Sequence, residues 1–290
     1  MFEGFDRATV QCDAQKIHYV TAGSGPAVLL LHGFPQTHAM WHKVAPALAQ
    51  GFTVVASDLR GYGASSKPQG TKAYSFRNMA ADQVSLMKQL GHEQFHLVGH
   101  DRGGRVAHRL ALDSPEVVQS LTVMDIVPTY YLLSTLDKSV ATAYYHWFFL
   151  PQPSPFPERM IEADPDAFFE SCLLGWGAAK LDAFDAEALA AYREAWRDPE
   201  TIRGFCADYR AAIEVDFDHD AADLDRKIDC PALVLYGADG AMARAYDIPQ
   251  TWQSRLRNMA AQAIPGGHFF VDETPDQTIT SLREFLERYA

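Results

Sequence analysis

A chain of 290 residues is long enough for one large domain, or for a core domain carrying one insertion. Apolar residues make up 48% and charged residues 21%, and the 17 Phe, 12 Tyr and 5 Trp exclude global disorder. With 25 basic against 37 acidic side chains the formal charge is −12, which argues against nucleic acid or an anionic membrane as the main partner. A small anionic substrate stays compatible, provided a local cluster of arginines overrides the global field.

The opening stretch MFEGFDRATV lacks the basic flank and apolar run of a signal peptide. Apolar runs such as Ala27 to Leu31 and Trp147 to Leu150 are too short to span a bilayer. Cys12, Cys172, Cys206 and Cys230 are scattered, with no CxxC and no ligand spacing, and read as reduced thiols of a cytoplasmic protein.

In chain order, two short β-like stretches (Thr9 to Cys12, Ile17 to Thr21) precede AVLLL at Ala27 to Leu31, a strand buried on both faces. A helix is expected around Met40 to Gln50, a strand at Thr53 to Ser57, and a helix at Arg77 to Leu90 stopped by Gly91. Phe95 to Gly99 and Leu121 to Met124 repeat the strand signal around a helix from Gly103 to Ser114. Between about Thr129 and Arg226 the apolar strands give way to helical, aromatic-rich sequence, interrupted by the proline-rich Pro151 to Pro157. Strands resume at Ala232 to Gly237 and Ala261 to Gly266. A last helix starts near Thr274 and Pro275, its expected cap and first-turn proline, and carries Ile279, Leu282, Phe285 and Leu286 on one face. The expected architecture is a mostly parallel sheet flanked by helices, residues 1–128 and 227–290, with an inserted helical cap at 129–226. Such a cap encloses a pocket over the carboxyl ends of the strands.

The segment VGHDRGG, Val98 to Gly104, falls where a strand meets a helix and has the form G-x-D-x-G. That is the nucleophile elbow of the α/β-hydrolase fold with Asp101 in place of serine. Two further features agree with it. LLLHGFPQ at Leu29 to Gln36 occupies the place of an oxyanion loop, whose donors would be the backbone N–H groups of Phe34 and Arg102. PGGHF at Pro265 to Phe269 supplies His268 after the last strand, in the chain order of the fold.

With HGFPQTHAMWH, GHDRGGR, RLALDSP, DIVPT, YHW, DYRA and GHF spread over most of its length, the chain resembles the haloacetate dehalogenase family, most closely the fluoroacetate dehalogenases. The resemblance implies an α/β-hydrolase that releases halide from haloacetates, with Asp101 as nucleophile and His268 activating water. It implies Asp125 as the acid orienting His268, Arg102 and Arg105 holding the substrate carboxylate, and His146, Trp147 and Tyr209 holding the departing halide. It also implies a homodimer. A carboxylate nucleophile suits attack at a saturated carbon, because the ester it forms yields to water, whereas a serine would leave a stable ether. No metal or organic cofactor is implied, since water and side chains complete the cycle.

Each assignment has a plainer competitor. Asp101 could be a helix N-cap, the arginines could form surface ion pairs, and His146 and Trp147 could be ordinary core aromatics. Arg102 and Arg105, three apart beside the elbow, are expected to converge on one anion. Asp239, in YGADG, is a second candidate for the triad acid. His38 and His42 stand four apart on the expected helix, but HAMWH lacks the Glu of HExxH and no third metal ligand is indicated. Two other functions compete: an epoxide hydrolase using the same aspartate, and a catalytically silent small-molecule receptor. Relatives acting on neutral substrates carry Trp directly after the nucleophile, and Arg102 in that place favours a carboxylated one.

Overall fold

The computed structural model describes residues 1–176 and 180–290. Eight strands form one sheet: β1 (Asp6–Cys12), β2 (Gln15–Ala22), β3 (Ala27–Leu31), β4 (Thr53–Ser57), β5 (Phe95–His100), β6 (Val118–Met124), β7 (Ile228–Gly237) and β8 (Leu256–Ile264). Their order is β1-β2-β4-β3-β5-β6-β7-β8. β2 runs antiparallel to both β1 and β4, and every other pairing is parallel. Every residue of β3 and β5 is buried, as continuous apolar runs in the middle of a parallel sheet require.

Helix α1 (Phe76–Gln89) is capped by the Ser75 side chain, which accepts the N–H of Asn78, and packs on α2 (Arg102–Asp113). Gly91 follows with φ +86°, the left-handed stop expected there. Between β6 and β7 the described residues form no strand. Helices run there from Thr129–Thr135 onward and include α3 (Ala186–Trp196) and α4 (Pro199–Ala211), each capped by an aspartate, Asp185 or Asp198. The chain closes with α5 (Pro275–Arg288). No helix of the described residues is long and apolar enough to cross a membrane.

Three elements depart from expectation. The helix over Met40 to Gln50 is a 3₁₀ turn, His38–Trp41, followed by a short helix, Val44–Leu48. Pro46 explains the break, because its ring would collide with the His42 carbonyl in a continuous helix. The last strand covers Leu256–Ile264 rather than Ala261 to Gly266; as an edge strand it exposes most of its side chains and shows no apolar run. Thr274 precedes α5 without capping it, for its hydroxyl donates back to the Pro265 and Phe270 carbonyls.

Candidate active site

Asp101 sits between β5 and α2 with φ 45° and ψ −114°, a conformation that non-glycine residues rarely adopt. Close packing enforces it. A Cβ on Gly99 would lie 2.3 Å from the Gly103 carbonyl oxygen, and one on Gly103 would lie 2.4 Å from that of Leu31. The Asp101 side chain makes no capping bond to α2, so the N-cap reading fails. Instead Oδ2 accepts the Phe34 N–H at 3.0 Å, which brings the loop after β3 onto the elbow. Burial would raise the Asp101 carboxyl, but His268, His100 and the two arginines outweigh it, and the net shift is downward.

His268 follows β8 and is 1% exposed. Its Nδ1 donates to Asp125 Oδ2 at 2.6 Å, and Nε2 has no partner within the described residues. Asp125, just beyond β6, also accepts the Gly237 N–H at 2.9 Å. Asp239 does not reach His268: it is exposed and accepts the Gly266 N–H at 3.3 Å. Burial lowers the His268 pKa, yet the hydrogen bond and charge of Asp125, with Asp101 beyond, carry it above the ordinary histidine value.

The two arginines divide. Arg102, wholly buried, donates Nε to Asp208 Oδ2 at 2.9 Å and Nη2 to Asp208 Oδ1, leaving Nη1 without a partner among the described residues. Asp208 on α4, 106 residues from Arg102 in sequence, thus occupies two of its three nitrogens. Arg105 forms no ion pair among the described residues; Nη1 donates to the Val127 carbonyl and the Thr129 hydroxyl, both at 3.0 Å. Burial drives its pKa down to about 10, so it stays cationic at neutral pH.

His146, Trp147 and Tyr209 come together although the first two lie far from the third in sequence. Tyr209 is centred 5.3 Å from the His146 ring and 5.2 Å from that of Trp147. Phe34 binds the cluster to the elbow, with centroids 5.7 Å from His146 and 5.1 Å from Tyr209. The Tyr209 hydroxyl and His146 Nδ1 have no partner within the described residues. Burial holds His146 well below the usual histidine pKa, so its ring is neutral. Asp101, Arg102, Arg105, His146, Trp147, Tyr209 and His268 are each no more than 6% exposed, which closes the group off from bulk solvent.

A family model described as the alpha/beta hydrolase fold matches residues 26–275. The chain belongs to the α/β-hydrolase family. It is 56% identical over 289 residues to a fluoroacetate dehalogenase of Burkholderia sp, covering 99% of this chain and 95% of that one. Similarity to a soluble epoxide hydrolase of Corynebacterium sp. (strain C12) is lower, 33% over 93% of each chain. A crystal structure from Nostoc sp PCC 7120, assigned to the α/β-hydrolases, superposes with a TM-score of 0.97 at 49% identity, covering 99% of both chains.

Three features of this α/β-hydrolase carried no sequence signal. Trp176 lies 4.2 Å from the His146 ring and 5.3 Å from that of His268. Tyr144, also buried, faces Trp176 and His268, and its hydroxyl has no partner among the described residues. Behind the oxyanion loop, Gln36 Nε2 donates to Asp272 at 2.8 Å and to the Tyr192 hydroxyl at 3.1 Å, joining the core to α3. His38 and His42 do not share a helix. His38 instead pairs with Asp58 at 2.8 Å, and ligand atoms of His18, His38 and Asp58 lie within 4.8 Å of one another. Asp58 is occupied as a loop clamp, accepting both the His38 N–H and ring N–H and, through Oδ2, the Ala64 N–H at 3.0 Å.

Proposed function

We propose that this chain hydrolyses haloacetates, fluoroacetate among them, to glycolate and halide. Arg105 carries the reading: it is a buried cation with no carboxylate partner among the described residues, beside an elbow aspartate. It suits the carboxylate of a haloacid, with Arg102 Nη1 as a second donor. The identity to the fluoroacetate dehalogenase of Burkholderia sp supports the same conclusion. The lower similarity to epoxide hydrolases favours a neutral substrate less.

In the cycle, an Asp101 oxygen attacks the carbon bearing the halogen, and the carbon–halogen bond breaks on the opposite side. The His146 ring, the Trp147 indole N–H and the Tyr209 hydroxyl receive the halide. His268 Nε2 then takes a proton from water, which adds to the Asp101 ester carbonyl. Charge on that oxygen falls to the N–H groups of Phe34 and Arg102. On collapse the His268 proton passes to the departing alkoxide oxygen, which releases glycolate, and the water's second proton is lost to solvent as Asp101 returns to its carboxylate. Asp125 keeps the His268 ring oriented and supports its positive charge.

On the same reading, residues 1–128 and 227–290 form the core and 129–226 the cap that closes the chamber. The enzyme works in the cytoplasm, in keeping with four free cysteines, and as a homodimer, as the family resemblance implies. Halide release from fluoroacetate and chloroacetate, together with diol formation from styrene oxide, tests the activity. Fluoride and chloride from the two acids are expected, with no opening of the oxide. Opening of the oxide alone would identify an epoxide hydrolase, and silence on all three a receptor.

A further inference from the structure

Arg102 is held by a carboxylate that no substrate-binding assignment includes. Asp208 is wholly buried on α4 and takes Arg102 Nε and Nη2 on its two oxygens. Its own backbone carbonyl accepts Nη2 again at 3.1 Å. From the far side the Tyr62 hydroxyl donates to Asp208 Oδ2 at 2.7 Å. Rings sandwich the guanidinium, whose central carbon lies 4.3 Å from the Tyr209 centroid, 4.7 Å from Phe76 and 5.1 Å from Trp147. Two of the three nitrogens are thereby committed, the plane is fixed, and the one left over, Nη1, is buried with no partner among the described residues.

We infer that Asp208 is a positioning residue for substrate recognition, which aims Arg102 Nη1 at the substrate carboxylate and neutralises the Arg102 charge. This rests on the haloacetate reading above. The consequence is a division of labour. Arg105 supplies the uncompensated positive charge, while Arg102 supplies direction, one N–H set by a bidentate anchor. Tyr209 follows Asp208 directly, so one turn of α4 both anchors the carboxylate donor and presents a halide-facing hydroxyl. The two ends of a two-carbon substrate are thus set from one rigid element.

The test compares chloroacetate with its uncharged analogue chloroacetamide in wild type, Asp208→Asn and Tyr62→Phe. In Asp208→Asn the KM for chloroacetate should rise roughly tenfold, more than kcat falls, with chloroacetamide changed by less than about threefold. Tyr62→Phe keeps the ion pair and serves if Asp208→Asn does not fold; it should raise the chloroacetate KM by about two- to fourfold with the same selectivity. Equal losses on both substrates would show that the pair only braces the fold, and an unchanged KM in both variants would equally overturn the inference. Wild type that fails to prefer chloroacetate would overturn the haloacetate reading and this inference with it. Preference in wild type that is undiminished in both variants would overturn the inference alone.

Discussion

Asp125 reaches His268 Nδ1 with one carboxylate oxygen at 2.6 Å and accepts the Gly237 N–H with the other at 2.9 Å. A backbone φ of 51° turns Asp125 into that position, and its own N–H is held by the Leu235 carbonyl at 2.8 Å. The pairing fixes the tautomer: Nδ1 carries the proton and Nε2 is left to accept one. In the proposed cycle neither function of that imidazole is needed for the attack of Asp101 on carbon.

His268→Asn should therefore separate the two half-reactions. Displacement of halide proceeds, water is no longer activated, and the ester on Asp101 accumulates. Intact-mass analysis after adding chloroacetate should show one added carboxymethyl group, and peptide mapping should place it on Asp101. A label on another residue, or steady turnover without any label, would refute the assignment.

Asp125→Asn tests the pH dependence. The raised pKa of His268 rests on the Asp125 carboxylate and on Asp101. His268 acts as a base only when neutral, so activity should rise with pH through that elevated value. Removing the Asp125 charge lowers the pKa and moves the acid limb of kcat to lower pH. The plateau should fall by roughly a hundredfold or more, because the ring loses its orientation. A limb that stays in place would mean another group controls it.

Arg105→Ala should cost haloacetates at least about tenfold in kcat/KM, since a charge-assisted hydrogen bond is worth about 1.5–3 kcal/mol. A haloacetamide should lose far less. Equal losses would assign Arg105 to the scaffold, through Val127 and Thr129.

The elbow was legible because its glycines have no alternative: the 2.3 Å that a Cβ on Gly99 would leave to Gly103 forces small residues into the sequence itself. Buried parallel strands such as β3 announce themselves for a related reason, since both faces must be apolar. Edge strand β8 carries no such constraint and was misplaced. Arg102 and Asp208 lie 106 residues apart, and nothing local marks either as the other's partner. DYRA held Asp208 in plain view, but only the fold reveals that its carboxylate turns toward the elbow. Trp176 is silent for the same reason, its value lying wholly in what surrounds it.

Asp272 predicts how stability varies with pH. Burial lifts its carboxyl to about 7, against hydrogen bonds from Gln36 and Tyr192 that favour the charged form. The folded protein keeps a proton that the unfolded chain has already lost, so stability falls as pH rises from about 4 to about 7. The contribution of this one group is at most about 1.4 kcal/mol per pH unit. Asp272→Asn removes the titration, and urea unfolding between pH 5 and 8 should give a flatter profile than wild type. An unchanged slope would show that Asp272 is ionised throughout the range.

Fluoride makes the strictest demand on the chamber, because its bond to carbon is strong and the small ion gives up dense hydration. Donors must replace that water at the moment the bond breaks. Tyr209 presents a buried hydroxyl with no partner among the described residues, next to the neutral His146 ring and the Trp147 indole. Burial and the nearby Asp101 charge push the Tyr209 pKa well above its usual value, so it stays protonated as a donor. Tyr209→Phe deletes that donor with almost no change in volume. Fluoroacetate turnover should fall by roughly tenfold or more, since one donor aimed at developing charge is worth about 2 kcal/mol or more. Bromide leaves readily and binds donors weakly, so bromoacetate turnover should fall much less. Steady-state halide release on the two substrates gives the ratio directly. Losses in the same proportion would make Tyr209 a packing residue beside Phe34 and reduce the enzyme to a general haloacetate dehalogenase.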